Sequence, residues 1–125
     1  MRLLLDSNAL LWWTGLHHDR LTEVAKAAIA EADQLFVSIA TVWELEIKRG
    51  AGKLDFAPNA WTRVGALGIT WLPVELEDAI DAGRLPLIHR DPFDRMIVAQ
   101  AMRRQLTLVT ADSALAEYGV AMLKT

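Results

Sequence analysis

The stretch HRDPFDRMIVAQA at 89–101 sets Asp91 and Asp94 three positions apart at the head of an amphipathic pattern. Asp91 before Pro92 makes a good helix N-cap, and Asp94 then falls in the first turn, where the positive end of the helix dipole favours an acid. The alternative is that Asp94 faces a site that must be acidic. Three other acids invite the same question: Asp6 directly after the apolar run LLL, Glu44 within IATVWELEIKRGAGKL, and Asp112 just beyond LTLVT. Each has an ordinary reading. Asp6 caps a helix beginning near Asn8, Glu44 pairs with Lys48 at i,i+4, and Asp112 in TADSAL is an N-cap. Gathering the four would be costly, because two unit charges ~5 Å apart repel by roughly 3 kcal/mol at an effective dielectric near 20. A divalent cation removes that cost. With no cysteine and no well-placed histidine, an oxygen-rich site suits a hard ion, Mg²⁺ or Mn²⁺. Such ions polarise a phosphoryl oxygen and lower the pKa of a coordinated water, which makes metal-assisted phosphodiester hydrolysis the leading chemistry.

Elements that would position these acids are legible as short apolar runs alternating with helical patterns. RLLL (2–5), LFVS (35–38), ITWLPV (69–74), LTLVT (106–110) and VAML (120–123) read as strands. LTEVAKAAIAEA (21–32) has apolar residues at helical spacing, and the helix opening at Ile39 is stopped by Gly50 and Gly52. Pro58 suits the first turn of another helix, ending near Gly65 or Gly68. ELEDAIDAGRL reads as a short helix closed by Gly83, and DPFDRMIVAQAMRRQ as a longer one. This alternation predicts an α/β fold, a three-layer α/β/α sandwich with a mostly parallel central sheet. In open sheets of this kind, sites lie beyond the carboxyl ends of the strands. Asp6, Glu44 and Asp112 all follow strands, and the helix begun by Asp94 feeds the fourth.

The 125 residues, 53% apolar, suit a single domain over 1–125. Absence of cysteine points to a reducing, cytoplasmic setting, and MRLLLDSNALLWW is interrupted by Asp6 and Asn8 too early for a secretory or membrane-spanning segment. No membrane partner is expected. A net charge of −3 supplies no global basic field, so a nucleic acid would have to be held by a local patch. His89, Arg90 and Arg95 flank the acids on one side and Lys48, Arg49 and Lys53 on another; such cations could hold phosphates, or could be solvated surface charge. Trp12, Trp13, Trp43, Trp61 and Trp71 could stack bases, but in apolar contexts most of them should be core or interface. His17 and His18 read as loop residues.

Asp6 after LLL, VSIATVWELEIKRGAGKL with Glu44, LPLIHRDPFDRMIVAQA with Asp94 and LVTADSAL with Asp112 resemble the PIN-domain ribonucleases, specifically the VapC toxins of bacterial toxin–antitoxin pairs. The resemblance implies that Asp6, Glu44, Asp94 and Asp112 are the catalytic, metal-binding acids of a Mg²⁺- or Mn²⁺-dependent endoribonuclease leaving 5′-phosphate products, with Asp91 accessory or a cap. It also implies an RNA substrate, a second copy of the chain and a VapB-like antitoxin covering the active-site groove. DSN at 6–8 departs from the usual Asp-Thr, so Ser7 stands where a threonine hydroxyl would act. Asn8 either orients a coordinated water or begins the first helix. Ser38 and Thr110 could hydrogen-bond the acids from behind, although strand ends collect such residues for capping anyway. A PIN nuclease of RNA processing would share the same site. A phosphoacceptor module would want paired acids after the first strand and a lysine after the last, and an aspartyl-nucleophile hydrolase would want Asp-x-Asp; neither is present. A catalytically inactive binding module is the remaining alternative.

Overall fold

The computed structural model describes residues 1–15 and 20–125, so His17 and His18 lie outside the described residues. Five strands, β1 (Arg2–Leu5), β2 (Gln34–Ser38), β3 (Thr70–Leu72), β4 (Thr107–Thr110) and β5 (Met122–Lys124), form one sheet in the order β3-β2-β1-β4-β5. Every pairing is parallel. Strand alternation sends Leu3 and Leu5 to one face and Leu4 to the other, and two separate apolar layers follow from it. The first packs Leu3, Leu5, Val37 and Val109 under Leu10, Ala25, Ile29, Leu45 and Val64. The second packs Leu4, Phe36 and Leu108 under Ile97, Val98, Ala101 and Leu115. This is the expected three-layer α/β/α sandwich, with all strands parallel.

Six α-helices are described: α1 (Ser7–Thr14), α2 (Glu23–Ala30), α3 (Ile39–Gly50), α4 (Ala60–Gly65), α5 (Leu76–Arg84) and α6 (Pro92–Arg104), together with a 3₁₀ helix over Ser113–Tyr118. Local chemistry sets their ends. Thr22 caps α2 through its hydroxyl, and beyond α3 the chain turns at Gly52, whose φ of 73° suits a residue without a Cβ. Two expected boundaries need correction. Pro58 does not enter a helix: the Ala60 N–H bonds the Ala57 carbonyl at 2.9 Å, placing Pro58 at the second position of a β-turn, where its fixed φ is equally favourable, and α4 starts only at Ala60. Gly83 does not close α5, which continues to Arg84 and stops where Leu85 turns extended ahead of Pro86. Among the described residues no helix is long and apolar enough to cross a membrane.

The chain steps outward from β1 to β2 to β3, then returns across the sheet to lay β4 on the other side of β1. The carboxyl end of β1 is therefore the switch point, where the connections leaving β1 and β4 diverge to opposite faces and open a crevice. Asp6 sits immediately at that end.

Candidate active site

Asp6, Ser7, Asn8, Glu44, Lys48, Asp91, Asp94 and Asp112 line one cavity of about 170 Å³. Four separated stretches of chain meet there, each placed by the structural role that the ordinary reading gave its acid. Asp6 caps α1, with Oδ1 accepting the Ala9 N–H at 2.8 Å. Asp112 caps the 3₁₀ helix, with Oδ1 accepting the Ala114 N–H at 3.0 Å. Glu44 pairs with Lys48 Nζ at 3.1 Å. Asp91 caps α6, its Oδ1 accepting the N–H of Phe93 at 2.8 Å and of Asp94 at 3.4 Å. Capping and convergence are not alternatives in this molecule. A carboxylate has two oxygens, and spending one on a helix end fixes the direction of the other.

Asp94 differs from the rest: it accepts no cap hydrogen bond, and His89 Nε2 lies 3.5 Å from its Oδ2. Burial, reinforced by the charge of Asp91, pushes its carboxyl up to about 7, with Glu44 and Asp6 adding to the rise. Asp6 is also raised, chiefly by burial and then by Glu44 and Asp112, while the Thr110 hydroxyl and the Ala9 N–H hold it down. Five carboxylates face a single lysine across the cavity. Clustered hard oxygen donors, with Asp6 and Asp94 both disfavoured as anions, are the donor set that a hard divalent cation fits.

The supporting residues divide. Thr110 does bond Asp6 and also accepts the Asp112 N–H at 3.0 Å, so it ties the ends of β1 and β4 together. The Ser7 hydroxyl donates to Glu44 Oε1. Ser38 instead caps α3, accepting the Ala40 N–H at 3.1 Å. Asn8 is exposed on the cavity wall and lies within α1.

Among the cations, Lys48 and Arg90 are exposed, and with Lys53 they line a neighbouring cleft that also contains Pro92 and Phe93. Arg49 is engaged with Glu46 at 2.7 Å. Arg95 is corrected outright. It is buried, and its guanidinium donates to the backbone carbonyls of Ala82, Gly83, Leu85, Pro86 and His89, so it meets no phosphate. The same contacts shape the loop that carries His89. That histidine does not stand outside the acids as a flanking cation but points among them, Nε2 lying 3.0 Å from Asp112 Oδ2. Trp12, Trp13, Trp61 and Trp71 pack against the core, leaving Trp43 exposed, edge-on to Phe93 at 5.3 Å.

Comparison with known proteins agrees with the architecture. The PIN-domain profile matches residues 3–121. Ribonuclease VapC22 of Mycobacterium tuberculosis is 31% identical over 113 residues, spanning 88% of this chain and 86% of that protein. The fold is similar to DNA-bound VapBC from Salmonella typhimurium, with a TM-score of 0.71 and 20% identity over 99% of this chain and 98% of the other. It is also similar to FitAcB from Neisseria gonorrhoeae, with a TM-score of 0.67 and 21% identity over 98% and 96% of the two chains.

Proposed function

The chain belongs to the PIN-domain family, and on that premise we propose that it is a Mg²⁺- or Mn²⁺-dependent endoribonuclease toxin of VapC type, neutralised by a VapB-like antitoxin. The observation that carries this reading is the convergence of Asp6, Glu44, Asp94 and Asp112 on one cavity at the switch point of the sheet. Relationship to a ribonuclease over most of the chain supports the choice of RNA. The toxin–antitoxin character of the structural neighbours supports the choice of an antitoxin partner.

In this reading the four acids hold the cation, and Asp91 shapes the rim while capping α6. When bound, the cation would supply Lewis-acid polarisation of the scissile phosphate and a water activated at neutral pH. The chain's own contribution is positional. Ser7 and Lys48 fix the two oxygens of Glu44, and Thr110 with the Ala9 N–H fixes Asp6. Lys48, Lys53 and Arg90 on the adjoining cleft hold backbone phosphates beside the cut.

The test is cleavage of mixed cellular RNA by antitoxin-free protein in Mg²⁺, in chelator, and with Asp94→Asn. Discrete cuts that vanish in both controls are expected, together with growth arrest on expression in a bacterium. Cutting that survives Asp94→Asn would overturn the assignment of the site. Cutting without growth arrest would replace the toxin by an RNA-processing nuclease, and no cutting by a cation-loaded protein would leave a binding module.

A further inference from the structure

We propose that His89 is a positioning residue of the acid cavity: its imidazole, locked as an Nε2–H donor, holds the Asp112 carboxylate in place beside Asp94 for a cation without entering the coordination itself. The lock comes from the other ring nitrogen. Asp91 donates its backbone N–H to His89 Nδ1 at 3.2 Å, so Nδ1 must offer a lone pair. A neutral imidazole with that nitrogen unprotonated carries its hydrogen on Nε2. That hydrogen bonds Asp112 Oδ2 at 3.0 Å, and Asp94 Oδ2 lies 3.5 Å from the same nitrogen.

His89 Nε2 and an oxygen from each of Asp94 and Asp112 lie within 4.8 Å of one another, which by distance alone would pass for a three-ligand metal site. The tautomer argues otherwise, because a nitrogen that carries a hydrogen has no lone pair for a metal. The imidazole is a tether.

The ring is placed with care. The His89 N–H donates to Tyr118 Oη at 2.8 Å, and the Tyr118 hydroxyl returns a bond to the His89 carbonyl at 3.3 Å. Arg95 Nη1 donates to that same carbonyl at 3.2 Å. Tyr118 and Arg95 are both buried. Tyr118 ends the 3₁₀ helix that Asp112 begins, so one short element carries both the acid and the clamp that presents the histidine to it. Partners that orient metal-binding groups in this way typically contribute about 10- to 100-fold in metal affinity.

The purpose of the tether rests on reading the cavity as a nuclease centre; its geometry does not. The test pairs ¹⁵N NMR of the imidazoles, with His89 assigned by its loss in a variant, with calorimetric titration of Mn²⁺ alone into wild type, His89→Ala, His89→Gln and Asp94→Asn, each checked for folding by thermal melting. We expect the Nε2–H tautomer. We also expect Mn²⁺ affinity to fall about 10-fold in His89→Ala and to return largely in His89→Gln, whose amide N–H replaces the donor, with Asp94→Asn the weakest. The glutamine variant keeps the test alive if alanine unfolds the loop. An Nδ1–H tautomer, unchanged affinity in the folded alanine variant, or a glutamine variant no better than alanine would each overturn the proposal. RNA cleavage measured in parallel separates the two readings. Wild type that binds Mn²⁺ as expected but leaves RNA intact fails the nuclease and keeps the tether, whereas RNA cut while His89→Ala binds Mn²⁺ normally does the reverse.

Discussion

Asp91 and Asp94 stand three residues apart on one helix and divide the work between them. Asp91 spends Oδ1 on two backbone N–H groups, while Asp94 accepts no cap bond and is held half-buried against other acids. Substitution should separate them. Asp91→Ala removes a cap and should lower stability by about 1 kcal/mol, read as a shift in urea midpoint without a change of slope. Asp94→Asn removes a charge that the cation-free fold disfavours, so it should unfold no more easily than wild type while cleavage falls by about 100-fold or more. A stability loss in Asp94→Asn larger than that of Asp91→Ala would return Asp94 to a purely structural role. The types of these residues were legible in the sequence because helix N-caps and first-turn acids are local patterns. His89 and Arg95 were not, because both act through partners far along the chain: Tyr118 for one, and the carbonyls of 82–86 for the other. A side chain's sequence neighbours say nothing about such contacts.

At the scale of elements, the passage from α5 to α6 is what aims the site, and its organiser is Arg95. Five carbonyls of the connecting segment and the end of α5 converge on that one guanidinium, satisfying acceptors that a buried irregular segment would otherwise leave bare. Arg95→Met should cost about 3 kcal/mol and reduce cleavage with it, since the carbonyl of His89 is among the five. Arg90→Ala, one turn of chain away and exposed, should stay within about 0.5 kcal/mol of wild type, so chemical denaturation of the pair tests the assignment. The two helices are further joined by Asp78. Burial alone would raise this carboxyl, but hydrogen bonds from Arg104, the Glu75 N–H, Arg103 and Gln100 hold it well below the usual carboxylate range. Strand and helix identities could be read from periodicity alone. Boundaries could not where proline chemistry allows two outcomes: Pro58 fits a turn as well as a helix start, and Pro86 rather than Gly83 ends α5. The 3₁₀ helix at Ser113–Tyr118 is too short to carry a helical period, and only its cap, Asp112, announces it.

Over the whole molecule, a net charge of −3 must be reconciled with an anionic substrate. The cations available beside the cavity are Lys48, Lys53 and Arg90, which suggests roughly three phosphate contacts. Binding of single-stranded RNA to Asp94→Asn protein should therefore show a log–log salt dependence of about −2, and Lys53→Ala should flatten it by about 0.7. A much steeper slope would place the strand on a different surface.

The sheet topology that gathers the acids also sets how the fold responds to pH and cation. Asp94 titrates near 7 in the folded protein, against 3.8 when free of these surroundings, and burial is the largest cause. A carboxyl raised on folding contributes stability that is fully present below about pH 4 and is lost as pH rises toward 7. Cation-free protein should accordingly lose stability across that window, in opposition to Asp78, whose lowered value makes stability fall as pH drops below its ordinary range. Asp94→Asn should remove the first component and leave the second. A cation reverses the sign for Asp94, because it binds the carboxylate form: Mn²⁺ at 100 times its dissociation constant at about pH 7 should add about 2.7 kcal/mol there, near 10 °C in midpoint for a chain of this size, and that same concentration should add more at pH 8 than at pH 6. Thermal melts of wild type and Asp94→Asn across that range, with and without Mn²⁺, check all of this at once. If the Mn²⁺ increment is the same at both pH values, proton and cation do not compete for the cavity, and the crowding of carboxylates at the end of β1 has some other occupant.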